Sequence, residues 1–502
     1  MTGFPQIFSH RFMKSKNNLR MLKHLHRLPR ALPRRAARLG LVCSGLLLGS
    51  CATRDAKYQL GSEWPATEPV VKLDSYESVQ RRPGQRSDVA VAVAISGGGM
   101  RAGNFASGVL KALESVEVRG AAGTRSNLLR EVDYFSTVSG GGMAAGSYMT
   151  HLLDYLQKHP EDKTGAGFSF ARAEEGNGSK PGWRVSLARN YQASLVGSFV
   201  NPLMLATLDR GDILENRLDQ HVLGRPDGRS LRMRDVFVPR GGGLPRVPYW
   251  VTNATVYENG AIFPFTPDIM AQYSVSGYKH QLRRHVLDDP YDMPLAVGLK
   301  ASASFPAAIP PSTLQSTRDA RHPYIHLSDG GLADNLGIIT ALRLLHQDKA
   351  PVKILIVIDA YNGRTEPFSK TTNPPGLVLS VLRTTSISLD SAHQHVRALL
   401  NVSTAQTGVD FAIIDFDQVL RDEATQKDTP ATQNSIAQRD GGMSPQSIQG
   451  LFTQALGVGT WFRISRDAQD ILLRAGENAI YRHQSSGERE LRPGLQALRE
   501  KF

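Results

Sequence analysis

From Val89 to Ile95 the chain reads VAVAVAI, seven apolar residues without a break. Such a run suits a parallel strand buried on both faces. Glycines follow it, and then Phe105, Val109, Leu110 and Leu113 recur at helical spacing within Ala102–Val116. The same order of apolar strand, glycines and helix returns at Val132–Val138, Gly140–Gly142 and Met143–Leu153. Further strands are predicted at Tyr249–Val256, Tyr324–Leu327 and Lys353–Ile358, with a helix over Ile338–Leu345. Strands alternating with helices predict an α/β fold with a mostly parallel sheet covered by helices on both faces. Gly165–Trp183 and Arg240–Pro245 read as surface loops, the first of them mobile. After about residue 365 the pattern is mainly helical, with a polar stretch at Arg421–Gly442.

The first 86 residues lack this alternation. Residues 1–50 carry ten Lys or Arg and no Asp or Glu, then an apolar run from Leu39 to Leu48. That is the order of a secretory signal. The run is shorter than the ~20 residues a membrane-spanning helix needs. Residues 51–86 are polar, hold Pro65, Pro69 and Pro83, and read as a tether. The chain's net charge of +13 belongs to the leader, because the remainder holds 49 basic against 46 acidic residues. A body so close to neutrality lacks the broad basic footprint of a nucleic-acid-binding protein. Cys43 and Cys51 are the only cysteines, which leaves no disulfide framework, Cys metal site or catalytic thiol. No metal-ligand spacing and no cofactor motif stands out, so neither group is expected.

The leader ends in Leu48-Gly49-Ser50-Cys51, which resembles the lipobox of bacterial lipoproteins. The resemblance implies that Cys51 becomes the lipidated first residue of the mature chain. A single acyl chain holds a protein marginally, at ~0.8 kcal/mol per buried CH₂, whereas the three-chain anchor of that family is effectively permanent. Ala52 is not the Asp that favours inner-membrane retention, so the outer membrane of the cell envelope is the expected location.

Three segments carry candidate chemistry. SGGGMRAG (96–103) lies between a predicted strand and a helix. Consecutive glycines let several N–H groups converge, and a helix N-terminus adds partial positive charge, so the loop suits a phosphate or an oxyanion. A structural turn is the plain alternative. The loop lacks the Lys-Ser/Thr of a P-loop and the G-x-G-x-x-G spacing of a dinucleotide site. STVSGGG (136–142) puts Ser139 on a strand-to-helix corner, with Thr137 where G-x-S-x-G has its first glycine. SDGGLADN (328–335) puts Asp329 on a glycine bend after a strand; Asp-Gly is also simply a good turn. All three fall at strand ends, where the ligand crevice of an open α/β sheet lies.

Together these segments resemble the patatin-like phospholipase family: SGGGMRAG its glycine-rich oxyanion motif, STVSGGG its nucleophile elbow and SDGG its Asp-Gly-Gly/Ala motif. NATVYENGAIFPFTP (253–267), ASASFPAAIPP (301–311) and GLADNLG (331–337) extend the resemblance over roughly residues 88–360. It implies a three-layer α/β/α sandwich and a lipid acyl hydrolase with a Ser-Asp dyad. Ser139 would be the nucleophile and Asp329 its base; the N–H groups of Gly97, Gly98, Gly99 and Gly140 would form the oxyanion hole. Arg101 would orient the loop or face a lipid phosphate, with a solvated first-turn arginine as the alternative. His322, His326, His346, His393, His395 and His483 are expected to have surface or packing roles. The partners implied are membrane lipids, as substrate and anchor, and no nucleic acid. An acyltransferase with the same dyad and a non-catalytic lipid-binding lipoprotein are the alternative readings. The expected organisation is a signal peptide at 1–50, a tether at 51–86, a catalytic domain at 87–362 and a mainly helical region at 363–502.

Overall fold

In the computed structural model of the chain the described residues run from 82 to 502, except 178–179, 192–209, 226–227, 238–246, 281–282, 307, 362–379, 381–382, 385, 388, 399–407, 417–419, 421–444, 460–461 and 484–487. The leader, Cys43, Cys51 and the tether up to residue 81 lie outside them, as do Arg240–Pro245 and Arg421–Gly442.

Among the described residues ten strands join in one sheet. In chain order they are β1 (Val89–Ile95), β2 (Tyr134–Thr137), β3 (Tyr249–Val256), β4 (Ile262–Pro264), β5 (Val275–His280), β6 (Arg283–Val286), β7 (Ser312–Ser316), β8 (Tyr324–Asp329), β9 (Val352–Asp359) and β10 (Asp410–Asp415). The spatial order is β6-β5-β7-β8-β3-β2-β1-β9-β10, with β4 on β3. The central strands β3, β2, β1, β9 and β10 pair in parallel. Beyond β3, strands β8, β7, β5 and β6 continue the sheet antiparallel. Strand β1 lies inside the parallel core, and all seven of its side chains are buried. Burying each of Val89, Val91, Val93 and Ile95 stabilises the fold by roughly 1.5–3 kcal/mol.

Helix α1 (Gly99–Glu114) follows β1 and α2 (Gly140–Lys158) follows β2; both begin on glycines, earlier than the apolar periodicity suggested. Later helices are α3 (Arg210–His221), α4 (Leu295–Ser302), α5 (Ile338–Gln347), α6 (Pro445–Gly457), α7 (Arg466–Ala479) and α8 (Pro493–Arg499). Helix α5 packs on β1, β2 and β9, and α1 packs on α2. Helix α7 crosses α1 at backbone contact: a Cβ on Gly108 would overlap the Leu473 carbonyl, and one on Gly476 the Phe105 carbonyl. The C-terminal third is thus built into the α/β body. It also supplies β10, a strand within the region that reads as mainly helical.

Gly165–Trp183, which reads as a mobile surface loop, is anchored in the core at two points. Phe170 and Trp183 are fully buried, with rings stacked at 4.8 Å, and the Trp183 indole N–H donates to the Phe170 carbonyl at 2.8 Å. Two large aromatic side chains outweigh the glycines and polar residues around them.

Candidate active site

Strand β2 ends at Thr137, and the chain turns sharply into α2 through Ser139. Ser139 has φ 49° and ψ −122°, a backbone conformation that costs a non-glycine residue about 1–3 kcal/mol. Its N–H donates to the Ser302 hydroxyl at 2.8 Å. The glycines behind it are sterically required. A Cβ on Gly140 would overlap the Gly99 carbonyl, and one on Gly141 would come within 2.6 Å of the Ser96 carbonyl oxygen. Thr137, the departure from G-x-S-x-G, turns its hydroxyl away from that crowding. It donates to the Val251 carbonyl at 3.2 Å and accepts the Trp250 indole N–H at 2.9 Å.

Asp329 is the last residue of β8, in register with Ala254 of β3. The turn at Ser302–Ser304 bonds the backbone of both Ser139 and Asp329, and the Ser139 side chain lies close enough to act on the Asp329 carboxyl, so two motifs far apart in sequence meet. Ser139 is 6% exposed and Asp329 5%. Burial pushes the Asp329 carboxyl up to about 7, while the bond from the Gly331 N–H (2.8 Å) and the nearby Ser139 side chain pull it down. The second aspartate of SDGGLADN does different work. Asp334 accepts the N–H groups of Leu336, Gly337 and Ile339 and so caps the start of α5.

The glycine loop lies beside the nucleophile: a Cβ on Gly97 would stand 3.4 Å from that of Ser139. Gly98 and Gly99 have φ of 142° and 58°, a region that L side chains rarely adopt. The first helical bond of α1 runs from Ala102 to the Gly98 carbonyl, so the N–H groups of Gly98 and Gly99 have no acceptor within the helix. At the head of α2, Gly141 and Gly142 donate to Val138 and Ser139, whereas Gly140 is the first helical residue and has no intrahelical acceptor. Gly97 is different. Its N–H donates to the Asn335 carbonyl at 3.0 Å, which removes it from the expected oxyanion donors and leaves Gly98, Gly99 and Gly140. Arg101 is buried, with Nε on the Ala360 carbonyl (2.9 Å) and Nη1 on that of Val458 (3.3 Å). Burial lowers its guanidinium to about 10, and the Asp359 carboxylate pushes it back up. This placement, with Nη2 close to Gly98, fits the loop-orienting reading and excludes a solvated arginine.

The histidines lie elsewhere. His322 pairs with Asp319 and His326 with Glu258, His346 bonds its own helix at Leu342, and buried His393 lies 3.1 Å from Asp359. Among the described residues no hydrogen bond joins a histidine to Ser139 or Asp329, and no group of three or more His, Cys, Asp or Glu could hold a metal ion. Two further residues within these motifs, Asn253 and Ser302, hold the elbow in place without a sequence signal of that role. Asn253 spans β2 and α5: its amide donates to Ser136 and Thr137 and accepts Thr340. Ser302 binds the Ser139 amide. A buried serine among small residues gives no sequence signal of such a role.

Comparison with known proteins gives the family. The profile described as patatin-like phospholipase matches residues 93–342, which span all three motifs. No curated protein sequence matches the chain. Among solved structures, human GIVD cytosolic phospholipase A2 aligns at TM-score 0.38 and 11% identity, over 82% of this chain and 62% of that one. The same human enzyme in complex with methyl gamma-linolenyl fluorophosphonate and terbium chloride aligns at 0.35 and 14%, over 82% and 60%. VipD from Legionella pneumophila aligns at 0.23 and 12%, over 80% and 72%. The chain therefore spans about three fifths of the length of the phospholipase A2 structures it matches. At these scores the overlays add no argument of their own; the family profile carries the assignment. Through residues 93–342, with glycine loop, serine elbow and Asp-Gly-Gly bend in that order, the chain belongs to the patatin-like phospholipase family.

Proposed function

We propose that this protein is a serine acyl hydrolase that cleaves the acyl esters of phospholipids or related lipids through a Ser139–Asp329 dyad. The observation that carries this reading is the convergence, beside the glycine loop, of Ser139 on its strained elbow and the buried Asp329 carboxyl, held at about 7, both bonded through their backbone to the Ser302–Ser304 turn. A base poised near the working pH is ionised in a large fraction of molecules and still takes up a proton readily. As Ser139 attacks the ester carbonyl, its proton passes to Asp329. The alcohol leaves with that proton, and Asp329 then activates water against the acyl-enzyme. The Gly98, Gly99 and Gly140 N–H groups face the charge that develops on the carbonyl oxygen. One such donor is worth about 3–4 kcal/mol of barrier. The test is a fluorophosphonate probe with a panel of lipid esters. Wild type is expected to be labelled and to hydrolyse esters, and Ser139→Ala to do neither while remaining folded. Equal labelling of the two proteins sinks the reading.

The reading includes a lipid anchor at Cys51 in the cell envelope. What supports it is the segment Leu48-Gly49-Ser50-Cys51, which resembles a lipobox. Labelled palmitate is expected in the wild-type protein and absent from Cys51→Ala. Incorporation in both would remove the anchor.

A further inference from the structure

Helix α4 ends at Ser302, and the residues around that end bond to both members of the proposed dyad. The Ser302 hydroxyl accepts the Ser139 N–H at 2.8 Å and donates to the Asn253 carbonyl at 2.5 Å. Its carbonyl accepts the Gly330 N–H at 3.2 Å. Two residues on, the Ser304 carbonyl accepts the Asp329 N–H at 2.9 Å and the Ser328 hydroxyl at 3.0 Å. The Ser304 hydroxyl in turn donates to the Lys300 carbonyl at 2.9 Å, which closes the turn. Ser302 and Ser304 are fully buried.

We propose that Ser302 is the positioning residue of the nucleophile, acting through the Ser139 backbone. The inference rests on the dyad reading and adds to it what sets the geometry. Ser139 sits at φ 49°, a conformation that the surroundings must enforce. A hydroxyl has one proton to give. Because that of Ser302 goes to Asn253, its lone pairs are directed at the Ser139 amide. The same turn holds the backbone of Asp329 and Gly330, so the hydroxyl and the carboxylate are referred to one short segment. Ser302 touches no reacting atom, and its effect is confined to the angle at which the Ser139 hydroxyl is presented.

The experiment compares full-length wild type, Ser139→Ala, Ser302→Thr, Ser302→Cys, Ser302→Ala and Ser107→Ala. Ser107 is an equally buried serine that bonds its own helix at the Gly103 carbonyl, away from the site. The readouts are the rate of fluorophosphonate labelling, kcat and KM on a soluble p-nitrophenyl ester, and the fraction folded. A misplaced reacting group typically costs up to about 100-fold. Labelling and kcat are therefore expected to fall roughly 10–100-fold in Ser302→Ala, with KM within about twofold. Ser302→Cys should fall between Ser302→Ala and wild type, Ser302→Thr should recover most of the rate, and Ser107→Ala should keep it. Should Ser302→Ala not fold, the Cys and Thr variants decide. Wild-type rates in the Ala or Cys variant would overturn the proposal, as would losses that Ser107→Ala shares in proportion to its fraction folded. Those outcomes leave the dyad standing so long as Ser139→Ala takes no probe. A wild-type protein that takes no probe would bring down both.

Discussion

On the proposed reading, the parallel core and the antiparallel flank of the sheet deliver opposite halves of the chemistry. Strands β1 and β2 each run into a helix, so they bring to the site helix N-termini, glycine N–H groups and the Ser139 hydroxyl. Strand β8 runs antiparallel to β3 and ends in a glycine bend rather than a long helix, and it brings a carboxylate. Hydrogen-bond donors thus come from one half and the proton acceptor from the other. Asp334 accepts three amide N–H groups and Asp329 one, and burial raises both carboxyls, that of Asp329 to about 7.

The comparison breaks hardest at the acceptor. Asp329→Asn is expected to lower kcat/KM on the order of 10⁴-fold, the usual cost of losing an acid–base partner of this kind, measured on a soluble ester. On the donor side, Gly140→Ala forces α2 away from the Gly99 carbonyl. Activity should fall about 10²–10³-fold, the cost of one oxyanion donor, with circular dichroism confirming a folded chain. The pH profile sharpens the picture further. Wild-type kcat/KM should climb about tenfold per pH unit and level off near pH 7, where Asp329 becomes ionised.

Stability should run the other way. A carboxyl whose folded value lies above its unfolded ~3.9 favours the fold while protonated, and that stability is lost as the pH rises from about 4 through about 7. Asp329→Asn is therefore expected to be more stable than wild type at pH 8, by at most about 4 kcal/mol, and equal to it near pH 3.5 in thermal melts. The smallest effect is expected at Arg101→Met. Leaving the Ala360 and Val458 carbonyls without that donor should cost about 1–3 kcal/mol of stability, with activity changed only a few-fold.

The same division governs how much could be read from the sequence. Strands β1 and β9 were legible because burial on both faces leaves long apolar runs, and β3 through its aromatic and β-branched residues. Strands β5, β6 and β7 read VSGYKH, RRHV and STLQS; such polar runs give no strand signal without the neighbours that pair with them. Ser139 and Asp329 stood out because glycines mark the turns that present them. Which glycine N–H is occupied did not, since the acceptor of the Gly97 N–H is a carbonyl contributed by Asn335. The burial of Arg101 was hidden as well, because its partners arrive from residues 360 and 458.

The bare-backbone crossing of α1 and α7 ties the early part of the chain to its late part. Lys111 and Glu477, which pair across it, are 366 residues apart. During synthesis the first helix therefore waits for nearly the entire polypeptide before its permanent neighbour exists. Contacts of such long range slow folding, so the nascent chain stays open while it lengthens. A fragment ended at residue 342, where the family profile stops, would keep all three motifs yet lack α7 against α1 and β9 beside β1.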